Sequence, residues 1–338
     1  MKLLSLVSFL YLSINVIQAG HLDSYKYELS LDCNIEAIKN PKQLLRVSSL
    51  PPIYPRRALI SGIEAVVQVV FDTNEKGEVI NERVSWSIDT SKEIDSNSVR
   101  YDEDFSKEAL RYIRRVSFKP SIHNKEGILS SEDQRYVITF LIEGNENNFD
   151  LGTKFKRALS RVKDAINHQS KIPKVIDSLD KFLDDEDLTD IQRANFLYLK
   201  AFLIYVISPK SEEIRPLLIE MSNLINTDIP YGPNAYKVLT FGSILLGQIY
   251  INEKQWEKAI EALEEGIHSG RKGNALDERF FNAHLQLGIA HYSNGNWCGA
   301  AKSWVRAKMM SESESTNYLF PDAFRVYLNY AEDRLDSE

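Results

Sequence analysis

The residues best suited to chemistry in this 338-residue chain are few and widely spaced. Six histidines, His21, His123, His168, His268, His284 and His291, form no His-Glu-x-x-His pair, the spacing that sets two imidazoles on one helix face to hold zinc. His284 and His291 share a helix face, but no carboxylate lies between them at ligand spacing, so they suit the core or the groove of a helical array. The run Asp184-Asp185-Glu186-Asp187 lacks the alternating ligands and central glycine of a calcium loop and reads as a solvated connection between helices. A Gly-x-Ser-x-Gly elbow, a Cys-His nucleophile pattern, a phosphate loop and a Gly-x-Gly-x-x-Gly turn are all missing from the sequence. The expectation is a non-enzymatic protein that needs neither metal nor cofactor.

Two cysteines, Cys33 and Cys298, complete the reactive inventory. Far apart in sequence, they either bridge the N-terminal arm to the last third of the chain or remain two unpaired thiols, with Cys298 buried on a helix. The compartment bears on this choice. Lys2 precedes an apolar run over residues 3–19 that closes with Val16-Ile17-Gln18-Ala19-Gly20, the pattern of a secretory signal peptide cut after Ala19. The alternative is an uncleaved inner-membrane anchor facing the periplasm, which needs about 20 apolar residues, whereas this run contains Ser5, Ser8, Ser13 and Asn15. A net charge of -7 and scattered Lys and Arg exclude a broad positive field, hence a nucleic-acid partner.

Beyond the leader and an arm over residues 20–49, two periodicities divide the chain. Pro51, Pro52 and Pro55 hold a stiff extended strap around Tyr54, and Pro55 can open a short helix over residues 56–61 ended by Gly62. Ala65, Val67, Val69 and Phe71 alternate with Val66, Gln68 and Val70, which is the period of a strand. Asn74-Glu75-Lys76-Gly77 makes a turn, and Ile80, Glu82, Val84, Trp86 and Ile88 return on one face of a second strand. After a polar loop over residues 90–103, Ser106 caps a helix running to about Val116, with Phe105 stapled to Leu110. Residues 135–142 alternate as a third strand, so a small ββαβ unit spans residues 50–146.

Tyr54-Pro55, Ala58, Ile63-Glu64, Val67, Val69, Phe71, Gly77, Val79, Phe105, Ala109, Leu110 and Phe118-Lys119-Pro120, in this order, resemble the pattern of the TonB C-terminal domain family. These are periplasmic parts of energy transducers acting on outer-membrane transporters. The resemblance covers residues 50–142 and departs from the family at Ala65, where glycine is usual, and at Pro51, where well-studied transducers carry a glutamine implicated in partner contact. It implies that the third strand takes up a short transporter peptide by β-augmentation, through Arg135, Val137, Thr139 and Leu141, with Pro52, Tyr54 and Pro55 beside it. Two plainer readings stay open: Tyr54 packs over the helix, and the strand is an ordinary edge blunted by Arg135 or covered by this same chain.

From Phe155 onward the period changes to about 3.6 residues. Leu246-Gly247, Tyr250, Trp256 and Ala259 recur as Leu287-Gly288, His291, Trp297 and Ala300, a step of 41 residues, and small residues return at Gly266 and Ala307. This resembles the tetratricopeptide repeat, whose unit is about 34 residues, the excess fitting an insertion over residues 271–277. Helices over 155–168 and 172–184, then 191–207 and 211–225, form more degenerate pairs, and residues 321–335 make a terminal helix. Tyr250, His284, His291 and Tyr292 either line a peptide-binding groove of this array or fill its core.

The expected fold class is thus α+β: a small ββαβ TonB C-terminal-like domain over residues 50–146, followed over residues 155–335 by an all-α tetratricopeptide-like helical array. The expected function is a periplasmic protein-binding protein linked to TonB-type transport. It would capture an extended peptide of an outer-membrane transporter or another envelope protein, while the array holds a second partner. The alternative is an envelope assembly scaffold with no role in energy transduction. A single-chain motor is disfavoured, because residues 20–49 contain one proline, Pro41, and an extended rod gains only about 3.1 Å per residue.

Overall fold

The computed structural model describes residues 44–46, 51–90, 101–120, 127, 129–140, 142, 152–225, 233–272, 278–312 and 318–335. Among them are eleven α-helices and a small antiparallel sheet, a mixed α+β composition that is mostly helical. The described residues fall into two compact units, one containing all the strands and the other the long helices.

In the first unit the order is β1 (Leu44–Arg46), α1 (Arg56–Ile60), β2 (Ala65–Thr73), β3 (Val79–Asp89), α2 (Asp102–Ile113), β4 (Phe118–Pro120) and β5 (Ser131–Phe140). β2 is the centre of a three-stranded antiparallel sheet with β3 and β5 on either side, while β1 and β4 pair separately. Ala65, Val67, Val69 and Phe71 of β2 are buried against Phe105, Ala109, Tyr112 and Ile113 of α2. Val66, Gln68 and Val70, on the opposite face, are buried too, so β2 is the most enclosed strand.

The β2–β3 turn forms as the sequence predicts. Asn74 Oδ1 accepts the N–H groups of Lys76 and Glu78, and Gly77 has φ +74°. A Cβ there would lie 2.2 Å from the Phe118 carbonyl oxygen, so the close approach of β4 and the left-handed backbone both demand glycine.

Three expectations need correction. α2 begins at Asp102, not after a Ser106 cap; Asp102, Glu103 and Asp104 form an acidic first turn, and carboxylates there suit the positive end of the helix dipole without a side-chain cap. β3 does not keep one face. Trp86 pairs with Gln68 while Val84 pairs with Val69, so the extra residue Ser85 is a bulge that turns Val84 toward the α2 core and Trp86 and Ile88 to the other side. β5 starts at Ser131, four residues before the expected Arg135, and the short pair β1–β4 was unforeseen.

The second unit holds α3 (Gly152–Asn167), α4 (Ile172–Leu183), α5 (Asp190–Ile207), α6 (Ile214–Asn223), α7 (Pro233–Asn252), α8 (Trp256–Lys272), α9 (Glu278–Ser293), α10 (Trp297–Ser311) and α11 (Asp322–Leu335). Consecutive helices pack against one another, α7 on α8 and α9 on α10 most extensively. The small residues of the 41-residue step sit at the crossings. A Cβ on Gly247 would be 2.5 Å from Leu263 Cγ, and one on Gly288 would be 2.1 Å from Trp304 Nε1. The turns match as well: Lys254 and Gly295, at equivalent places, have φ +59° and +77°. The acidic run follows α4, where Asp185 pairs with Lys154 and Arg193 donates to the Leu183 and Asp185 carbonyls.

Candidate functional site

The clearest candidate is the outer edge of β5, which among the described residues pairs with β2 alone. Its geometry follows from one end of the sheet. The Glu64 N–H donates to Thr90 Oγ1 at 3.0 Å and the Glu64 carbonyl accepts the Thr90 N–H at 3.0 Å, so the Glu64 backbone is turned toward the β3 side. Backbone direction alternates along a strand; Ala65, Val67 and Val69 therefore face β5, where they meet Phe140, Ile138 and Tyr136. By the same alternation, the N–H and C=O groups of Arg135, Val137 and Thr139 point away from β2, toward the side on which no strand pairs among the described residues. Their side chains lie on the face opposite α2, Arg135 exposed and Val137 and Thr139 half-buried, while Tyr136, Ile138 and Phe140 are buried in the α2 core. Leu141, the fourth residue expected on this edge, lies outside the described residues.

Tyr54, Pro52 and Pro55 lie at the end of these strands. The Tyr54 hydroxyl donates to the Ile63 carbonyl at 2.6 Å and lies 3.4 Å from the Phe140 carbonyl oxygen. Its ring meets Phe105 and Phe140 edge-on, with centroids 5.7 and 5.9 Å apart. Burial first, and then the charge of Glu64, push the phenol pKa well up. Tyr54 thus stitches the ends of β2 and β5 and packs over α2, which is the plainer of the two readings of this residue. Pro55 is buried and Pro52 half-buried, whereas Ile53, between them, is 60% exposed. α1 adds Leu59 and Ile60 to the exposed apolar side chains and is tied to α2 by Ser61 and Tyr101, whose hydroxyls are 3.0 Å apart.

Glu64 is the residue that sequence reasoning passed over. It is 1% exposed, and its Oε1 accepts the N–H of Ile142 at 2.8 Å, two residues past the end of β5. A carboxylate immediately before a valine-rich strand was the available signal, since such a group is buried only with hydrogen-bond donors around it.

In the helical unit, Tyr250, His284 and His291 are buried and Tyr292 is half-buried. The Tyr250 ring lies between Arg215 of α6 and Lys258 of α8, each 5.8 Å from its centroid. His291 takes the equivalent place one step later, against Gly299, where a Cβ would come within 2.6 Å of the imidazole. Burial, with a smaller push from Lys302, lowers the His291 pKa to about 4. Glu264 Oε1 is 3.7 Å from His291 Nε2, but the imidazole, with its pKa lowered to about 4, is uncharged at neutral pH, so this contact is not an ion pair there. His284 packs edge-on against Phe280. Tyr292 belongs to an aromatic cluster with Trp297, Trp304, Tyr327 and Tyr330. Three of these residues are thus buried and Tyr292 is half-buried within its aromatic cluster.

Among the described residues, no group of three or more His, Cys, Asp or Glu side chains is placed to hold a metal ion, and no helix is long and apolar enough to cross a membrane. Cys298 is disulfide-bonded; Cys33, the only other cysteine in the sequence, lies outside the described residues, as do residues 1–19. No family model matches the sequence, and no curated protein is significantly similar to it.

Proposed function

We propose that this chain is an envelope adaptor whose first unit is a TonB C-terminal-like ββαβ module that captures an extended peptide along β5. The second unit is a tetratricopeptide-like array that holds a further protein partner. The observation that carries the reading is the direction of the Arg135, Val137 and Thr139 backbone groups, turned away from β2 on a strand paired, among the described residues, on one side only. Such a row of donors and acceptors is a template for one more strand. The bonded state of Cys298 supports an oxidising compartment, and hence a periplasmic location reached through residues 1–19. The peptide would come from an outer-membrane transporter or another envelope protein, in keeping with the resemblance.

The test is to titrate a synthetic peptide of alternating threonine and valine into the isotope-labelled full chain. Spectral shifts are expected along residues 131–140. Val137→Pro removes one outward N–H at an edge, where proline is tolerated, and should weaken binding about tenfold while the unfolding midpoint stays within the wild-type range. Equal binding by Val137→Pro, or shifts confined to the helical unit, would refute the docking edge. The N-terminal mass of the protein from its native envelope separates the adaptor, starting at Gly20, from a membrane-anchored transducer retaining Met1.

A further inference from the structure

We infer that Glu64 is a positioning residue for the docking edge. Its buried carboxylate holds the chain at Ile142 against β2 and so anchors the end of the docking strand β5. The inference rests on the reading of β5 as a peptide-docking strand. Continuing the register of the Ala65–Phe140 pair, Ile142 would fall opposite Ile63, but the Ile63 N–H donates to the Ala58 carbonyl at 2.9 Å and the Ile63 carbonyl accepts the Tyr54 hydroxyl at 2.6 Å, so the main-chain groups opposite Ile142 are already engaged. By the alternation along β5, the Ile142 N–H is directed toward β2, in phase with Phe140 and Ile138. The ladder would end at the Ala65–Phe140 pair, but Glu64 Oε1 accepts the Ile142 N–H at 2.8 Å and supplies one more rung from a side chain.

A buried carboxylate is costly unless hydrogen-bonded, so the side chain has strong reason to keep this donor. Beside it, Tyr54 donates to Ile63 and lies close to the Phe140 carbonyl, and the strap thereby closes over the same strand end. Glu64 and Tyr54 consequently act on a docked peptide through β5 itself and need not touch it.

The test uses the full chain and two alternating threonine–valine peptides, of about six and about eight residues, the longer one able to reach the strand end anchored at Ile142. Wild type should bind the longer peptide about fivefold more tightly, the value of one or two additional hydrogen bonds. Glu64→Ala should bind both peptides alike, with the shorter one unchanged from wild type. Glu64→Gln, which retains an acceptor, should restore the preference. Amide exchange at Ile142 should be slow in wild type and Glu64→Gln and fast in Glu64→Ala. If Glu64→Ala does not fold, Glu64→Met, which refills the volume without an acceptor, takes its place. A length preference that survives loss of the acceptor overturns the role of Glu64 alone. Failure of wild type to bind either peptide overturns the docking reading, and this assignment with it.

Discussion

Replacing Gly288 with alanine tests the packing of the last helical hairpin, because the structure states what the added methyl would meet. An ideal Cβ falls 2.1 Å from Trp304 Nε1, 2.4 Å from Cδ1 and 2.5 Å from Cε2. The obstacle is a rigid ring with 1% exposure, and its N–H donates to the Leu285 carbonyl at 3.2 Å. Helix propensity alone would make Gly288→Ala stabilising by about 1 kcal/mol. Against that, overpacking of a well-filled core costs about 1–3 kcal/mol, and moving the indole forfeits a hydrogen bond of about 1 kcal/mol. The balance is a net loss of about 1–3 kcal/mol, which lowers the urea midpoint of the helical signal by about 1 M at a typical slope. Far-UV circular dichroism in urea, with tryptophan fluorescence reporting on the indole, measures it. A variant as stable as wild type, with unchanged fluorescence, would show that α9 and α10 do not cross at Gly288.

Two further outcomes are expected. Because the folded pKa of His291, about 4, lies below its ordinary value of 6.5, the stability linked to this group is fully present above pH 6.5 and is lost as the pH falls toward 4, by at most about 3 kcal/mol. The urea midpoint of the helical unit followed across that window should decline, and His291→Phe should flatten the decline; an equal slope in both proteins would refute the assignment. Cys298 is disulfide-bonded, so thiol titration of the full chain in denaturant without reductant should find no reactive thiol at Cys298, and reduction should expose it. Two titratable thiols would contradict the bonded state of Cys298.

The helical half was the more readable part of the sequence. Its apolar residues repeat at the helix period, and its crossings select small residues at fixed intervals, so Gly247, Ala259, Gly288 and Ala300 mark contacts as well as helices. The sheet was legible at β2, where β-branched valines dominate residues 65–71 and both faces are buried. β3 misled because a bulge at Ser85 leaves the alternation in the sequence intact while reversing the faces in space. The start of α2 was missed because a dipole-favourable acidic turn competes with a serine cap that looks equally good locally. At the candidate edge, alternation placed Arg135, Val137 and Thr139 on one face of a strand, whereas the contact of Glu64 could not be read, because its partner Ile142 lies 78 residues away in sequence. The groove candidates illustrate the converse: Tyr250 and His291 were found by repetition, and repetition follows packing.

The antiparallel ladder between β2 and β5 runs from Ala65–Phe140 to Thr73–Ser131, with its hydrogen bonds perpendicular to the strands. A tension applied along β5 would therefore load all of these rungs together, as a shear, whereas a pull at right angles would open them in succession from one end. The small sheet is thus mechanically anisotropic, and its resistant direction coincides with the axis along which an added strand would lie.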